Sequence, residues 1–181
     1  MGIMSRSPYK IYETEYPYFM TSSFVEGLPL FGDRDVAQIM LDSLIFLQHQ
    51  REVTLYVYVL MENHFHIIAQ GNDLAEKMRH LKSYTARKII NTFEQKKRTR
   101  WLRQLKYAKL KYKAESDHQI WQESFHPKQI IGDSMMIQKV EYIHNNPVKR
   151  GYVDYPEDWR YSSARNYLGK EGIIPVTLFG R

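Results

Sequence analysis

An α+β fold built around one antiparallel sheet is predicted by three observations on the 181-residue sequence. Segments with the two-residue alternation of strands and segments with the 3.6-residue period of helices follow one another as strand, helix, strand, strand, helix, strand. The two middle strands are joined by a short turn, as in a hairpin. No repeat or linker divides the chain, so we expect a single domain over residues 1–181. This order is typical of a ferredoxin-like (RRM-like) sheet with helices on one face.

The first strand and the first helix are indicated by local composition. Residues 18–25 have the aromatic and β-branched content of a strand. Two glycines and a proline make residues 26–32 a loop. Asp33 or Asp35 can then cap a helix that should end near Gln50.

A hairpin is expected over residues 53–70, with its turn at residues 62–63. Because side chains alternate along a strand, His64 and His66 should project from one face, while the apolar residues between and after them point into the core. Two imidazoles on a stiff strand form half of a metal site. The alternative is that two strand histidines only face solvent or form local hydrogen bonds.

The second half of the chain predicts two more helices and one strand. One helix should run from about Leu74 into the 90s, and residues 119–131 have strand content around a core residue, Trp121. Asp133 or Ser134 can cap a third helix, which Pro147 should end near Asn146.

The third helix carries two stripes at helical spacing. One is apolar and contains Met136, Val140 and Ile143. The other places Tyr142 and Asn146 one turn apart. Taken alone, Tyr142 could be a packing residue and Asn146 a helix terminator, so the spacing leaves their role open.

Composition limits the functional classes. With 43% hydrophobic residues, the chain can bury a substantial core. The absence of cysteine excludes disulfides, thiolate zinc sites and cysteine nucleophiles. No apolar run approaches the roughly 20 residues that cross a bilayer, and the sequence does not start with a secretory signal. We therefore expect a cytoplasmic protein with no membrane partner.

The net charge of +6 is unevenly distributed. Residues 79–113 carry thirteen Lys and Arg against one Glu, or +12, which leaves −6 for the remainder. Such a segment favours a polyanionic partner. The candidate contacts for DNA are Arg79, Lys82, Arg87, Lys88, Lys96, Lys97, Arg98, Arg100 and Arg103. Residues 96–113 form a basic insertion that either continues the second helix or makes a separate lobe.

Two sequence blocks together indicate a family. The blocks are Val59-Leu60-Met61-Glu62-Asn63-His64-Phe65-His66 and Tyr142-Ile143-His144-Asn145-Asn146-Pro147. In this order and spacing the chain resembles the single-tyrosine HUH transposases, in particular the branch associated with repeated extragenic palindromes. Supporting matches are Ile120-Trp121-Gln122 and Trp159-Arg160-Tyr161-Ser162-Ser163-Ala164. Glu62 departs from the family, since many relatives have a proline there, and the basic insertion is longer than in compact relatives.

The resemblance implies a function for four residues. His64 and His66 match the family's metal ligands, Tyr142 matches its nucleophile, and Asn146 matches the polar residue that completes the metal site. The implied activity is cleavage and rejoining of single-stranded or hairpin DNA through a 5′-phosphotyrosine, with Mn²⁺ or Mg²⁺, by a nucleoid-associated protein. Both a homodimer and a monomer are compatible with the sequence.

Two other functions remain open at this stage. A non-catalytic nucleic-acid-binding protein could stack bases on Tyr56 and Tyr58 of the sheet, as RNA-binding modules do. A metal-dependent hydrolase could use water as its nucleophile, but no general base or carboxylate cluster accompanies the histidines in sequence.

Overall fold

The computed structural model describes residues 13–50, 52–109, 118–123 and 127–180. Four strands form one antiparallel sheet in the order β2-β3-β1-β4. They are β1 Tyr18–Ser23, β2 Thr54–Leu60, β3 His64–Gln70 and β4 Lys128–Gln129. The helices are α1 Arg34–Gln50, α2 Leu74–Gln95, α3 Thr99–Ala108, α4 Asp133–His144, α5 Asn146–Lys149 and α6 Ala164–Tyr167. None of the helices described is long and apolar enough to cross a membrane.

The predicted fold class is confirmed. The elements follow the expected order of strand, helix, strand, strand, helix and strand, with α3 inserted between α2 and β4, and the order of the strands in the sheet is the ferredoxin-like one. The prediction of a single domain over residues 1–181, with a basic insertion at about 96–113, is not tested by the described ranges and stays a prediction.

Two apolar layers cover the two faces of the sheet. On one face, Phe65 and Ile67 pack in a large cluster with the buried sides of α1 and α2. On the other face, Val59 and Ile68 belong to a smaller cluster with the predicted apolar stripe of α4, which packs against β2 and β3. Full burial of an aliphatic side chain contributes roughly 1.5–3 kcal/mol, so this stripe fixes which side of α4 faces the sheet.

The outer edge of β2 is covered by the segment that follows α5. The Leu60 amide donates to the Tyr161 carbonyl at 2.8 Å, and the Ser163 amide donates to the Tyr58 carbonyl at 3.0 Å. The Trp159 indole also donates to the Leu60 carbonyl at 2.9 Å. An unpaired strand edge is a site for unwanted pairing, and these contacts remove it.

Two local predictions were wrong, and the sheet also separates the two tyrosines of the base-stacking alternative. The strand expected around Trp121 is only an isolated bridge between Trp121 and Phe24, and β4 lies later in the chain. Trp121 is nevertheless a core residue, stacked on the Phe24 ring. The cap of α4 is Gly132, with φ +80°, and not Asp133 or Ser134. Tyr56 and Tyr58 do not share a face, because the register with β3 shifts between Leu55 and Val57.

The basic insertion does not continue α2. The helix ends at Gln95, Lys97 has a positive φ of 52°, and α3 then begins at Thr99. Leu105 of α3 is fully buried in the same cluster as α1 and α2. Residues 110–117 lie outside the described residues.

Candidate active site

The two histidines of β3 lie on the face of the sheet that α4 covers. In the antiparallel pairing, Thr21 of β1 stands opposite His66, and Ser23 stands opposite His64. The two imidazole rings are edge to face, with their centroids 4.8 Å apart. His66 is buried and His64 is partly exposed, so the pair lies at the margin between the α4 layer and solvent.

Each imidazole is held at Nδ1 by a neighbouring oxygen. His64 Nδ1 lies 2.6 Å from Asn63 Oδ1, and His66 Nδ1 lies 2.6 Å from Thr21 Oγ1. The amide oxygen of Asn63 can only accept, so Nδ1 of His64 carries the proton and Nε2 keeps its lone pair. Histidines that bind metals usually donate their other ring N–H to an oxygen in this way. His64 therefore has Nε2 available as a ligand, and His66 offers the same atom in the tautomer whose Nδ1–H donates to the Thr21 hydroxyl.

Both imidazoles are held in the neutral form. Burial lowers the pKa of His66 to about 3, assisted by the nearby charges of His64, Lys139 and Arg150. Burial and the charge of Arg150 also lower the pKa of His64, opposed by Glu62. A metal ligand must offer a lone pair and not a proton, so these shifts keep the pair ready for a cation at neutral pH.

Tyr142 of α4 lies against His66. The ring centroids are 5.5 Å apart and the planes are tilted by 62°. Phe19 of β1 contacts both, with its ring stacked on His66 at 5.4 Å and edge-on to Tyr142 at 5.9 Å. Tyr142 is 39% exposed, so a nucleic-acid strand in solvent can reach it. The strand histidines and the helix tyrosine are thus brought together.

Asn146 begins α5, one turn beyond Tyr142. Its side chain is buried and makes no hydrogen bond with another described residue. Within the described ranges, no three His, Asp or Glu side chains are grouped as a metal-ligand set. Asn146 therefore stays a predicted ligand, whose amide oxygen would complete with two imidazoles a mixed N and O set that suits Mn²⁺.

The predicted DNA contacts lie away from these side chains. All nine are on α2, on α3 or between them, and the buried sides of α2 and α3 pack in the layer on the opposite face of the sheet. Some also have partners within the chain. Lys96 pairs with Asp35 at 2.6 Å, Arg98 pairs with Asp33 at 2.6 Å, and Lys82 donates to the Gln122 carbonyl.

The remaining predicted contacts are arranged on three surfaces. Arg87 and Lys88 line a groove between α1 and α2, and Arg79 pairs with Glu76 at 3.4 Å. Lys97, Arg100 and Arg103 are exposed around the start of α3. None of these positions brings a cation to the histidine pair.

The cations that do lie beside the site were missed from the sequence. They are Lys139, Lys149 and Arg150. A signal was available, because Lys139, Tyr142, Asn146 and Lys149 follow one another at i, i+3, i+7 and i+10, which is one stripe of a helix. The chain between α4 and α5 stays close to helical geometry at Asn145, so the stripe continues across the break.

Two sequence comparisons relate this chain to transposases. Residues 29–109 match the family model described as transposase IS200 like. A putative REP-associated tyrosine transposase from Haemophilus influenzae is 29% identical over 108 residues, which are 58% of this chain and 54% of that protein. The chain resembles the REP-associated tyrosine transposases. The resemblance drawn from the histidine and tyrosine blocks is therefore confirmed.

One solved structure shows the same fold. A REP-associated tyrosine transposase bound to a REP hairpin superimposes with a TM-score of 0.68 at 21% identity, over 98% of this chain and 93% of that one. A putative transposase from Deinococcus radiodurans has a TM-score of 0.47 at 17% identity, over 78% of this chain and 97% of that one.

The matches cover the site unequally. The family model includes His64 and His66 but ends before Tyr142 and Asn146. The matched segment also spans only about half the length of the curated relative. The assignment of the tyrosine to the site is therefore supported by its contact with His66 and not by the family model.

Proposed function

We propose that this chain cleaves and rejoins single-stranded DNA, including hairpin DNA, with Tyr142 as the nucleophile and a divalent cation held by His64, His66 and Asn146. The observation that carries this proposal is the contact between the Tyr142 and His66 rings, with both histidines held at Nδ1 by a neighbouring oxygen. The proposed reaction needs a phenol next to a pair of oriented metal ligands. In this chain the two lie side by side where a helix packs on a strand.

The residues fit Mn²⁺ better than Mg²⁺, because Mg²⁺ prefers oxygen ligands to imidazole nitrogens. Two neutral imidazoles and one amide oxygen leave ligand positions open for phosphate oxygens and water. When bound, the cation would polarise the phosphodiester and stabilise the charge that develops on its oxygens. Thr21 and Asn63 fix the two rings, which leaves little reorganisation at the site when a cation arrives.

The chemical step uses the Tyr142 oxygen. A new bond forms between this oxygen and the phosphorus, and the bond from phosphorus to the 3′ oxygen of the preceding nucleotide breaks. The phenolic proton is lost and the leaving 3′ oxygen gains one, so the products are a 5′-phosphotyrosine and a free 3′-hydroxyl. The linkage keeps the energy of the phosphodiester, so attack by a 3′-hydroxyl reverses the step without ATP.

The non-catalytic alternative has less support from the sheet. Tyr58 is fully buried in the α1 and α2 layer, and Tyr56 packs on the other cluster with its hydroxyl donating to Gln70. The two rings therefore do not form the exposed stacking platform that a base-stacking RRM-like protein needs.

A covalent-adduct assay tests the proposal. Labelled single-stranded hairpin DNA is incubated with the protein and Mn²⁺, and the adduct is resolved on a denaturing gel. We expect an adduct with the wild type, none with EDTA, and none with Tyr142→Phe, which keeps the ring and its contacts but removes the nucleophile. Tyr152→Phe is the matched control, because Tyr152 is an exposed tyrosine stacked on Trp159.

DNA binding by Tyr142→Phe should stay close to that of the wild type. An adduct that persists in Tyr142→Phe would assign the nucleophile to another tyrosine. A wild-type protein that binds the hairpin but never forms an adduct, with any divalent cation, would overturn the proposal in favour of a binding protein.

A further inference from the structure

Two lysines stand on either side of the proposed nucleophile in sequence and contact its ring. The Lys139 ammonium lies 5.4 Å from the centre of the Tyr142 ring, and the Lys149 ammonium lies 5.5 Å from the same centre. Lys139 comes from α4 and Lys149 from α5, at i−3 and i+7 from the tyrosine. The same helical stripe that presents the tyrosine therefore presents two cations next to it.

The charges of Lys139 and Lys149 differ in their surroundings from that of the neighbouring Arg150. Neither ammonium forms an ion pair with a carboxylate among the described residues, whereas the neighbouring Arg150 is paired with Glu62 at 3.4 Å. Lys139 also lies over the Phe19 ring at 4.8 Å, which holds it beside His66. Burial and the nearby charge of Lys128 lower the pKa of Lys139.

An anion could pair with both ammonium groups. An ammonium group has three donors and no acceptor, and charge-assisted hydrogen bonds from such groups to phosphate are about twice as strong as neutral ones. Two such groups that contact one tyrosine ring can reach different non-bridging oxygens of a single phosphate at the tyrosine hydroxyl. The basic residues of α2 and α3 cannot do this, because they belong to the layer on the other face of the sheet.

We propose that Lys139 and Lys149 bind the scissile phosphate of the DNA and hold it against Tyr142. This inference rests on the proposed function, since it requires that Tyr142 attacks a phosphodiester. In the bound complex, the two ammonium groups donate to non-bridging oxygens of the phosphate whose bond is broken. The covalent step is unchanged, and the lysines stabilise the negative charge that grows on those oxygens as the phosphorus is attacked.

The first test separates rate from affinity. Lys139→Gln and Lys149→Gln are compared with Lys170→Gln, a lysine paired with Glu157 at 3.9 Å outside the site. At saturating hairpin DNA and Mn²⁺, the single-turnover rate of adduct formation should fall by about 100- to 1,000-fold in each site variant. It should not change in Lys170→Gln. Thermal unfolding of all three variants shows whether the fold is kept.

Binding is measured separately by placing each substitution in the Tyr142→Phe background. The hairpin affinity should fall by much less than the rate, because the lysines contact one phosphate among several. A loss of affinity equal to the loss of rate would mean that the two lysines serve general binding, and this would overturn the proposal.

The second test asks which phosphate the lysines contact. A methylphosphonate, which lacks the negative charge, replaces either the scissile phosphate or the next phosphate along the strand. If Lys139 and Lys149 hold the scissile phosphate, substituting them should slow adduct formation little further when the methylphosphonate is at the scissile position. The same substitutions should slow adduct formation by their full factor when the methylphosphonate is at the neighbouring position. If the lysine substitutions slow adduct formation by the same factor on both methylphosphonate substrates, the lysines do not contact the scissile phosphate.

The two proposals fail in different ways. If the wild type forms the adduct and both lysine variants form it at the wild-type rate, the phosphate-binding role is wrong and the proposed function stands. If the wild type forms no adduct, the proposed function is wrong and the lysine role is wrong with it.

Discussion

Thr21 Oγ1 lies 2.6 Å from His66 Nδ1, and the two residues stand directly opposite each other in the pairing of β1 with β3. This hydroxyl therefore sets the orientation of a ring that also contacts Phe19 and Tyr142. The pairing of the two strands therefore determines how a ligand of the proposed metal site is oriented. A shift of one residue in that register would point Thr21 to the other face.

Thr21→Val should weaken metal binding without harming the fold. Valine has the shape of threonine but cannot hold the His66 ring, and loss of such an outer partner lowers metal affinity by about 10- to 100-fold. The measurement is a titration of the DNA-free protein with Mn²⁺, followed by electron paramagnetic resonance. Ser23→Ala is the control, because Ser23 stands opposite His64 on the same strand but His64 is held by Asn63. Equal Mn²⁺ affinity in both variants would contradict this role for Thr21.

The sequence predicted that the two strand histidines and the helix tyrosine lie together, because the relevant geometry is local. Alternation along β3 is enough to place His64 and His66 on one face, and the spacing along α4 is enough to place Tyr142 beside Asn146. That the helix covers the histidine face follows from the apolar stripe of α4, which has only one open sheet face to pack on.

Other features depend on contacts that local patterns do not encode. Residues 54–60 are apolar or aromatic along most of their length and are buried on both faces, so alternation could not reveal the bulge that separates Tyr56 from Tyr58. The positive charge of residues 79–113 was evident from the sequence. Charge alone does not predict on which face of the sheet these residues lie. Lys96 and Arg98 were predicted to contact DNA, and their position beside Asp33 and Asp35 depends on tertiary packing.

Arg98 should be important for stability. It pairs with Asp33, whose side chain is only 4% exposed, and it also donates to Asp35 at 3.1 Å. Arg98→Ala leaves a largely buried carboxylate without its partner, which costs about 1–3 kcal/mol of the free energy of unfolding. The matched change Arg100→Ala, at an exposed residue of the same turn, should stay within about 0.5 kcal/mol of the wild type. Urea unfolding measures both, and equal stability of the two variants would count against the Arg98 pairing.

The exposed cations at the start of α3 offer a test of the predicted DNA contacts. Lys97→Gln, Arg100→Gln and Arg103→Gln should each lower the slope of log affinity against log salt by about 0.7 if the residue contacts a phosphate of a single strand. The slope is measured with hairpin DNA in the Tyr142→Phe background, which prevents cleavage. A slope equal to that of the parent would show that this surface is only solvated and that DNA follows the α4 side of the sheet alone.

Ser163 links the final segment to the sheet and to α4. Its hydroxyl accepts from the Tyr58 amide at 3.0 Å and lies 2.9 Å from His144 Nε2, and all three groups are buried. Ser163→Ala should leave the Tyr58 amide and the imidazole nitrogen without a partner, at a cost of about 1–3 kcal/mol. Ser23→Ala, at a half-exposed serine, is the control, and urea unfolding is the measurement. A stability loss in Ser163→Ala no larger than in the control would show that these contacts add little.

Tyr58 should make the protein sensitive to alkali. Burial raises the pKa of its hydroxyl to about 12, whereas the same group in the unfolded chain loses its proton near pH 10. The folded state therefore retains a proton that the unfolded state releases between these values, so stability is fully present below pH 10 and falls as pH rises toward 12. One proton corresponds to a slope of roughly 1 kcal/mol per pH unit in the free energy of unfolding. Urea unfolding between pH 9 and pH 11 should show this slope in the wild type and in Tyr84→Phe, since Tyr84 is half-exposed on α2. Tyr58→Phe should have a shallower slope, and an unchanged slope would mean that another group controls the alkaline loss.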